Sequence, residues 1–430
     1  MARIFEIRDP VHGFVTLTDW ERDIVNHPAF QRLRRIRQLS MTDMVYPGAM
    51  HTRFEHSLGV MHVATRMFDS LVERERGFLE GEPLKFTAEG LRRDRVIVRL
   101  AALLHDCGHA PFSHAAEDLM PENPQTGKPF KHEHFSSAII RVLLKDVIES
   151  HPGNQNLEIK ADDVAQLIDE DKASLGRRTL WKHLISSQLD ADRSDYLLRD
   201  SHHAGVAYGH YDLDRLITTL RVGLSEDSGT PLITIDKSGQ HVAEALIIAR
   251  YMMFTQVYFQ KTRRIYDIHL RDAVKNIFNG DKFPAPTSPE NLNAYLDWDD
   301  WRVMGFMKNG QGGDAGRKIL DRDHDRMICA TEENPSLDAI LRLKEAQAHL
   351  QDKGITTIID CAKAEWYKNA NEIRILVDDQ TKKTAELSSR SNAVKGLIKS
   401  EQWRLYVPTC ERGKADSILK SKKLNRKGRR

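Results

Sequence analysis

The stretch "LAALLHDCGHAPFSHAAED", residues 100–118, joins an apolar helical run to a cluster of ionisable side chains. Such side chains are costly in a protein core unless a partner compensates them, and a metal ion is one such partner. His105 and Asp106 close the apolar run, so they leave the same helical turn and can converge on one point. Histidine with carboxylate is a ligand set of divalent Fe, Mn, Ni and Zn. The stretch predicts a buried helix that ends in a metal site.

Two other segments supply further candidate ligands for such a site. They are "HTRFEHSLGV", residues 51–60, with His56, and "SQLDADRSDYLLRDSHH", residues 187–203, with Asp192. Spacing alone does not select these residues among the 19 histidines and many acids of the chain. For any single histidine, a core or helix-capping role is the ordinary alternative. The residues by themselves indicate a metal without fixing its ligands.

Composition places the chain among soluble globular proteins. It has 430 residues, 40% hydrophobic and 29% charged, enough for one large or two ordinary domains. A net charge of +2 does not indicate a nucleic-acid partner. The first ten residues carry acids and no apolar segment, and no apolar run approaches the ~20 residues of a membrane helix. With four scattered cysteines, these features favour a cytoplasmic protein without membrane contact.

Hydrophobic periodicity changes along the chain and predicts its organisation. Residues 15–275 read mostly as helix, with one short strand candidate in "GTPLITID". After a proline-rich stretch, "GITTIIDCA", "NEIRILVDD" and "QWRLYVP" are typical of strands. We therefore expect a mainly α fold: a helical core over 1–278, a smaller α+β region over 279–418, and a basic, disordered tail over 419–430. That tail includes seven Lys or Arg residues and no acid.

The motifs also resemble a known family. In order, the chain carries "DPVHGFV", "FQRLRRIRQL", "RFEHSLGV", "HDCGHAPFSH", "KHEH" and "DADRSDYLLRDSHHAGV". This order resembles the HD-domain deoxynucleoside triphosphate triphosphohydrolases, the dGTPase-like family, over roughly residues 4–270. The resemblance implies an HD-domain helical core. It also implies one divalent metal ion (Fe, Mn, Ni, Zn or Mg), with additional Mg carried by the nucleotide. The implied ligands are His56, His105, Asp106 and Asp192.

The same resemblance implies residues that handle phosphate and protons beside the metal. His105 and His109 share a helical face at i,i+4, and Glu117 can orient His114 at i,i+3 if the helix continues. A histidine oriented in this way can protonate a leaving oxygen. Glu117 departs from the aspartate that the family often has there. For His132, a solvated loop histidine is the open alternative. The implied catalytic set is His109, His114, Glu117 and His132.

Substrate contacts follow from the resemblance and from the charge of a triphosphate. Guanidinium groups suit phosphate oxygens, and a lysine on the helix "YFQKTRR" is a further cation, although a solvated charge is as good an interpretation there. A deoxyribose site must crowd the 2′ carbon and bond the 3′ hydroxyl. For Leu39, a plain core leucine is nearly as good an interpretation. The expected substrate-binding residues are Gln38, Leu39, Arg53, Arg193, Tyr196, Asp200 and Lys261.

The expected reaction is metal-assisted hydrolysis of a dNTP to deoxynucleoside and inorganic triphosphate, in nucleotide pool control or antiphage defence. Two alternatives stay open: a nuclease that holds single-stranded nucleic acid on the basic tail, and a nucleotide-binding sensor. Cyclic-dinucleotide phosphodiesterases and alarmone hydrolases do not fit the motifs. The resemblance also implies a tetramer or hexamer with a nucleotide effector. Phe5 and Asn26 stand where some relatives carry charged residues that contact the nucleotide effector. The resemblance therefore does not imply that this protein has the same effector.

Overall fold

The computed structural model describes residues 4–169, 175–225, 229–364, 373–397 and 399–422, but not the side chain of His114. The predicted mainly α fold with a smaller α+β C-terminal region is confirmed. In chain order, the helices before residue 279 are α1 (Asp19–Asn26), α2 (Pro28–Gln31), α3 (Arg53–Glu80), α4 (Ala88–Leu104), α5 (His132–Val142), α6 (Lys145–Glu149), α7 (Ala161–Ile168), α8 (Thr179–Lys182), α9 (Ala191–Ala204), α10 (Leu213–Thr219), α11 (Gln240–Met253) and α12 (Lys261–Phe278).

The later helices and the strands complete the described elements. The helices are α13 (Pro289–Leu296), α14 (Asp300–Lys308), α15 (Gly313–Leu320), α16 (Leu337–Asp352), α17 (Leu387–Arg390), α18 (Asn392–Gly396) and α19 (Arg412–Ser421). The strands are β1 (Ile4–Asp9), β2 (Gly13–Thr18), β3 (Leu220–Leu224), β4 (Pro231–Ile235), β5 (Arg326–Ala330), β6 (Ile358–Ala364), β7 (Arg374–Asp378), β8 (Lys383–Glu386) and β9 (Ser400–Val407).

Three helices carry the candidate site, and local sequence fixes where they begin and end. Helix α3 starts with a capping box, in which Glu55 accepts from the backbone N–H of Thr52 at 2.8 Å. Helix α9 starts where Asp190 accepts from the backbone N–H of Arg193, and it ends at Gly205, which has φ +69°. Helix α3 packs against both α4 and α9. This packing brings the ends of the three helices together.

The strands form three small sheets. β1 and β2 form an antiparallel hairpin, β5-β9-β6 form one sheet, and β3-β4-β7-β8 form another. The strands expected in "GTPLITID", "GITTIIDCA", "NEIRILVDD" and "QWRLYVP" are present as β4, β6, β7 and β9. The β4–β7 pair is parallel and joins segments that are far apart in the chain. The N-terminal hairpin was not expected from the sequence.

The boundary predicted at residue 278 does not separate two cores. Phe283 and Tyr295 are buried in the same apolar cluster as the helices of the first 278 residues, and Phe283 donates its backbone N–H to Leu119 O at 3.0 Å. Helix α12 ends at Phe278, where Asn279 adopts a left-handed conformation with φ +48°, and the chain then continues into the same core. A second apolar cluster forms later, from β5, β6, β9, α16 and α19.

Two predictions concern the chain ends and the membrane. The tail predicted as disordered over 419–430 begins inside α19, where Leu419 is buried, and its remainder from residue 423 lies outside the described residues. Among the helices that are described, none is both long and apolar enough to cross a membrane.

Candidate active site

The ends of α3, α4 and α9 bring the four predicted metal ligands together. His56, His105 and Asp106 each offer an atom within 4.8 Å of the others, and all three are buried. Asp192, at the start of α9, lies at the edge: its Oδ1 is 3.0 Å from His56 Nε2 and 3.8 Å from His105 Nε2. Imidazole nitrogens together with carboxylate oxygens are a common ligand set of divalent metal ions in proteins.

The state of the two imidazoles fits a metal ion. His56 Nδ1 lies 2.7 Å from Asp195 Oδ2, and His105 Nδ1 lies 2.8 Å from Ala102 O. Each of these acceptors requires the N–H on Nδ1, so Nε2 is the nitrogen that can bind a metal ion once it is deprotonated. Both Nε2 atoms are buried, and neither has a hydrogen bond of acceptable geometry among the described residues. Two buried nitrogen atoms that lack hydrogen bonds and lie beside the same carboxylates are what a metal ion would satisfy.

The carboxylates around His56 dominate its electrostatics. Burial alone would lower the pKa of His56, but Asp192 and Asp195, with Asp106 nearby, outweigh it and raise that pKa to about 10. In the same way, burial would raise the pKa of Asp192, but His105 and His56 lower it. In the absence of a metal ion, this negative charge favours a proton on His56, and a divalent cation would take the place of that proton.

A buried network behind His56 was missed from the sequence. Asp195 contacts His56 on one oxygen and His12 Nε2 on the other at 2.6 Å, and Arg199 binds both oxygens at 2.8 Å. Arg199 also donates to Asp9 at 2.8 Å. The i,i+4 spacing of Asp195 and Arg199 was a usable signal. This network fixes the ring of His56, as outer carboxylates commonly do for metal-binding histidines.

Glycine at position 59 is required for this network to pack against α3. A Cβ at Gly59 would lie 1.9 Å from Asp195 Oδ1 and 2.4 Å from Arg199 Nη2. Both atoms belong to side chains that are tightly held by ion pairs. The "SLGV" motif therefore has a packing reason for its glycine.

Predicted phosphate-handling residues lie beside the metal ligands. His109 Nε2 is 3.2 Å from Asp106 Oδ1, and the rings of His109 and His132 stack with centroids 3.8 Å apart. Asp106, His109 and His132 form a second group whose ligand atoms lie within 4.8 Å of one another. Glu117 Oε1 is 3.7 Å from His132 Nδ1. The predicted role of His114 falls on a side chain outside the described part of the structure.

Arg53 connects the metal ligands with a neighbouring cavity. Its guanidinium donates to Asp106 Oδ2 and, through Nε, to Ser113 Oγ at 2.8 Å. Arg53 and Ser113 both line a cavity of about 360 Å³. Its other walls are formed by Gln38, Leu39, Ser40, Phe112, Ala115, Tyr196, Asp200, Phe254, Tyr258, Phe259, Arg263, Arg264, Asp267 and Arg271. Arg53 therefore connects the cavity with the candidate metal centre, whose ligands lie behind its wall.

Five of the seven predicted substrate residues line this cavity, and they come from distant segments. Asp200 is held in place: its Oδ1 is 2.8 Å from His51 Nε2, and Tyr258 donates to its Oδ2 at 2.6 Å. These contacts give His51, which had no role in the sequence interpretation, a function in orienting Asp200. The five residues are Gln38, Leu39, Arg53, Tyr196 and Asp200.

The other two predicted contacts, Arg193 and Lys261, do not line the cavity. The guanidinium of Arg193 donates to Asp190 and to the carbonyl of Ser187, so it stabilises the start of α9. Lys261 is exposed at the start of α12, and its carbonyl accepts from Tyr406. Sequence adjacency to Asp192 suggested Arg193, but adjacent helical side chains point in different directions.

The cavity is lined by cations of α12 instead of by Arg193 and Lys261. Arg263, Arg264 and Arg271 line it, and they had not been selected from the sequence. Arg264 forms an ion pair with Asp360, and Arg271 Nε lies 3.5 Å from Asp118 Oδ2. The motif "KTRR" was the available signal, but it did not show which of its cations faces inward.

Comparisons with known proteins agree with this geometry. The model of the HD domain matches residues 53–198, and the model of the HD associated region matches residues 211–422. The chain is 37% identical over 272 residues to protein YwfO of Bacillus subtilis, covering 61% of this chain and 53% of that one. It is 29% identical over 318 residues to the deoxynucleoside triphosphate triphosphohydrolase SAMHD1 of Gallus gallus, covering 68% and 50%. The matches span about half the length of these curated relatives.

Solved structures share nearly the whole fold. A hypothetical protein from Aquifex aeolicus superposes with a TM-score of 0.77 at 30% identity, over 97% of this chain and 100% of that one. A phosphohydrolase from Bacteroides thetaiotaomicron superposes with a TM-score of 0.70 at 26% identity, over 94% and 100%. With the HD ligands assembled and the associated region following them, the chain belongs to the HD-domain proteins that carry the HD associated region.

Proposed function

We propose that this protein is a metal-dependent phosphohydrolase that cleaves deoxynucleoside triphosphates to deoxynucleoside and inorganic triphosphate. The observation that carries the proposal is a cavity of about 360 Å³ whose lining residue Arg53 contacts Asp106, in the cluster of His56, His105 and Asp106. Its size and mixed lining suit a nucleoside, and the metal side suits phosphate. The relationship to SAMHD1 and to a phosphohydrolase of the same fold supports the same reaction class.

The sugar end of the cavity has the features that a deoxyribose requires. Gln38 Oε1 is buried and has no hydrogen-bond partner among the described residues, so it offers an acceptor to a hydroxyl. Asp200, fixed by His51 and Tyr258, offers a second acceptor on the same cavity. Leu39 and Tyr196 supply the apolar wall that would crowd the 2′ carbon. A 3′ hydroxyl would satisfy the polar pair, and a 2′ hydroxyl would meet the apolar wall.

The phosphate end is formed by cations and imidazoles. Arg53 would neutralise charge that develops on the α-phosphate, because its guanidinium already points at the metal ligands. Burial, with Arg53 and His132 nearby, lowers the pKa of His109 well below its usual range, so His109 stays neutral and can hydrogen-bond a phosphate oxygen through an N–H. His114 is proposed as the acid for the departing 5′ oxygen, with Glu117 as its orienting carboxylate.

A divalent ion held by His56, His105, Asp106 and Asp192 would supply Lewis-acid chemistry at the α-phosphate. The remaining tasks belong to the chain itself: Arg53 holds the phosphates, Asp200 holds the sugar, and the buried walls restrict water. We propose in addition that the protein forms a tetramer or hexamer with nucleotide effectors. A role in pool balance or antiphage defence is a proposal of the same kind.

The test is a dNTP panel with Mn²⁺, Fe²⁺, Ni²⁺, Zn²⁺ and Mg²⁺, each substrate alone and in pairs, with products resolved chromatographically. Deoxynucleoside with intact triphosphate is the expected outcome, and pairs reveal an activator that single substrates conceal. Release of a monophosphate or pyrophosphate would contradict attack at the α-phosphorus in this register. Single-stranded DNA serves as the competing substrate, and cleavage of it without dNTP hydrolysis would favour the nuclease.

A further inference from the structure

The catalytic loop that follows the metal ligands ends in an unusual turn. Phe112 and Ser113 are consecutive residues with φ of +54° and +60°, a region that side chains other than glycine rarely adopt. Such a turn persists only where its surroundings hold it. It directly precedes His114, and its Ser113 Oγ accepts from Arg53, the residue that contacts Asp106. Whatever fixes this turn therefore fixes the phosphate side of the candidate site.

A carboxylate from the HD associated region holds the turn. Asp300 Oδ1 accepts from the backbone N–H of Phe112 at 2.7 Å, and Asp300 Oδ2 accepts from the backbone N–H of Arg37 at 2.8 Å. Arg37 immediately precedes Gln38, at the sugar end of the cavity, and its carbonyl accepts from Ser113 Oγ at 3.0 Å. One side chain thus joins the segment that begins the sugar site to the turn that begins the phosphate site.

The surroundings of Asp300 make it a fixed support. Tyr295 donates to Gly108 O at 2.7 Å, and Arg32 donates to both Trp298 O and His109 O, at 2.9 and 2.8 Å. Asp300 is 2% exposed, is the first residue of α14, and lies neither in the cavity lining nor in the metal cluster. It therefore cannot act by touching substrate or metal.

We propose that Asp300 is a positioning residue, which sets the distance between the sugar-binding segment at Gln38 and the phosphate-side turn at Phe112–Ser113. The inference rests on the proposed function for its kinetic part. Its structural part, the order of the turn, is independent of any activity. The associated region, which already supplies part of the cavity wall, therefore also contributes to the geometry of the active site through Asp300.

Three variants separate this role from a general effect on stability. Asp300→Ala removes both acceptors, and Asp300→Asn keeps the size and one acceptor but places an amide N–H against the other backbone donor. Asp299→Asn is the matched control. Its carboxylate contacts Arg35 at 2.5 Å and caps α14, and asparagine caps a helix equally well. Measurements at about pH 8.5 keep Asp300 ionised, because burial raises its pKa to about 7 against the two backbone hydrogen bonds.

For Asp300→Ala we expect kcat to fall by about 100-fold, because a shift of about 1 Å in a catalytic group costs that much. KM should change less than about threefold and metal content should stay at the wild-type value, with Asp300→Asn intermediate and Asp299→Asn like wild type. Amide hydrogen exchange at residues 112–119 should accelerate at least about tenfold in Asp300→Asn at an unchanged Tm.

Several outcomes would overturn the inference. They are wild-type exchange at 112–119 in a folded Asp300→Asn protein, an equal loss in Asp299→Asn, or a rise in KM with unchanged kcat. If the wild-type protein hydrolyses no dNTP, the proposed function fails, and the exchange experiment alone still decides the role of Asp300.

Discussion

The sequence motifs predicted the metal cluster (His56, His105 and Asp106) better than they predicted the cation wall, the arginines that line the cavity (Arg53, Arg263, Arg264 and Arg271). The predicted ligands His56, His105 and Asp106 meet within 4.8 Å, and each imidazole is fixed through its second nitrogen. Of the three cations predicted for phosphate, Arg53 lines the cavity, whereas Arg193 and Lys261 do not. Ligands converge because a buried ion needs all of them at one point. A long cationic side chain on a helix can instead satisfy its charge with whichever partner is near.

The largest predicted effect tests whether the cluster of His56, His105 and Asp106 binds a metal ion. His105→Ala should abolish bound metal and lower turnover by about a thousandfold or more, since it removes one of few donors. Elemental analysis of purified protein, together with the dNTP assay, measures both. The control is His241→Ala, since that imidazole is 89% exposed and lies outside the cluster. Full metal content with full activity in His105→Ala would refute the assignment.

The cation wall is tested by substituting two cations that were predicted to bind phosphate: Arg53, which lines the cavity, and Lys261, which does not. Arg53→Lys should lower kcat/KM by about 100-fold, because lysine keeps the charge but cannot bridge Asp106 and Ser113 with one fork. Lys261→Ala should change kcat/KM less than about twofold, because the ammonium is exposed outside the cavity. Steady-state kinetics on one dNTP decides both. A larger loss from Lys261→Ala than from Arg53→Lys would reverse the placement.

The network behind His56 offers a smaller, graded test of the cluster. Asp195→Asn should weaken metal affinity by about 10- to 100-fold, because the amide no longer fixes the protonated Nδ1 of His56 as a carboxylate does. Titration with a competing chelator measures the affinity, and thermal unfolding reports the cost of leaving Arg199 with less charge compensation. Asp214→Asn is an exposed control. Unchanged affinity would limit Asp195 to a structural role.

The smallest predicted effect concerns two histidines of α3, whose pKa values are shifted in opposite directions. Carboxylates raise the pKa of His56 to about 10, whereas burial, with His12, Arg66 and Arg99 nearby, lowers the pKa of His62 to about 4. His62 is therefore neutral in the folded protein and protonates near pH 6.5 when unfolded. Its contribution to stability is present above about pH 6.5 and is lost as the pH falls toward 4.

The substitution that tests this effect is His62→Gln. When the pH is lowered from about 7 to 4.5, the free energy of unfolding should fall by about 1 kcal/mol less in the variant than in the wild type. This value is reduced because the ring is partly exposed. Urea unfolding at several pH values measures the difference. An identical pH dependence in both proteins would show that His62 has an ordinary pKa in the folded state.

Much of the fold could be read from local patterns. The helical first half and the later strands were predicted because hydrophobic periodicity acts over short stretches, and the metal ligands because the order of the motifs resembles a known family. The N-terminal hairpin was missed, since the turn at Gly13 lies within a motif that was interpreted for family likeness. The boundary at residue 278 stays a prediction, and residues beyond it, such as Phe283 and Tyr295, pack into the same apolar cluster, which local patterns do not reveal.

The sequence by itself determined that a metal site was to be expected near residues 105 and 106, because ionisable groups at the end of an apolar helix need a compensating partner. The order of its motifs, through the resemblance to a known family, selected the four ligands. Only the tertiary structure decided what supports them. Asp195, three residues after Asp192, fixes His56, and Asp300, nearly 190 residues after Phe112, fixes the strained turn beside His114. The physical reason is that hydrogen bonds depend on distances in space, to within a few tenths of an ångström, and residue spacing along the chain does not set those distances.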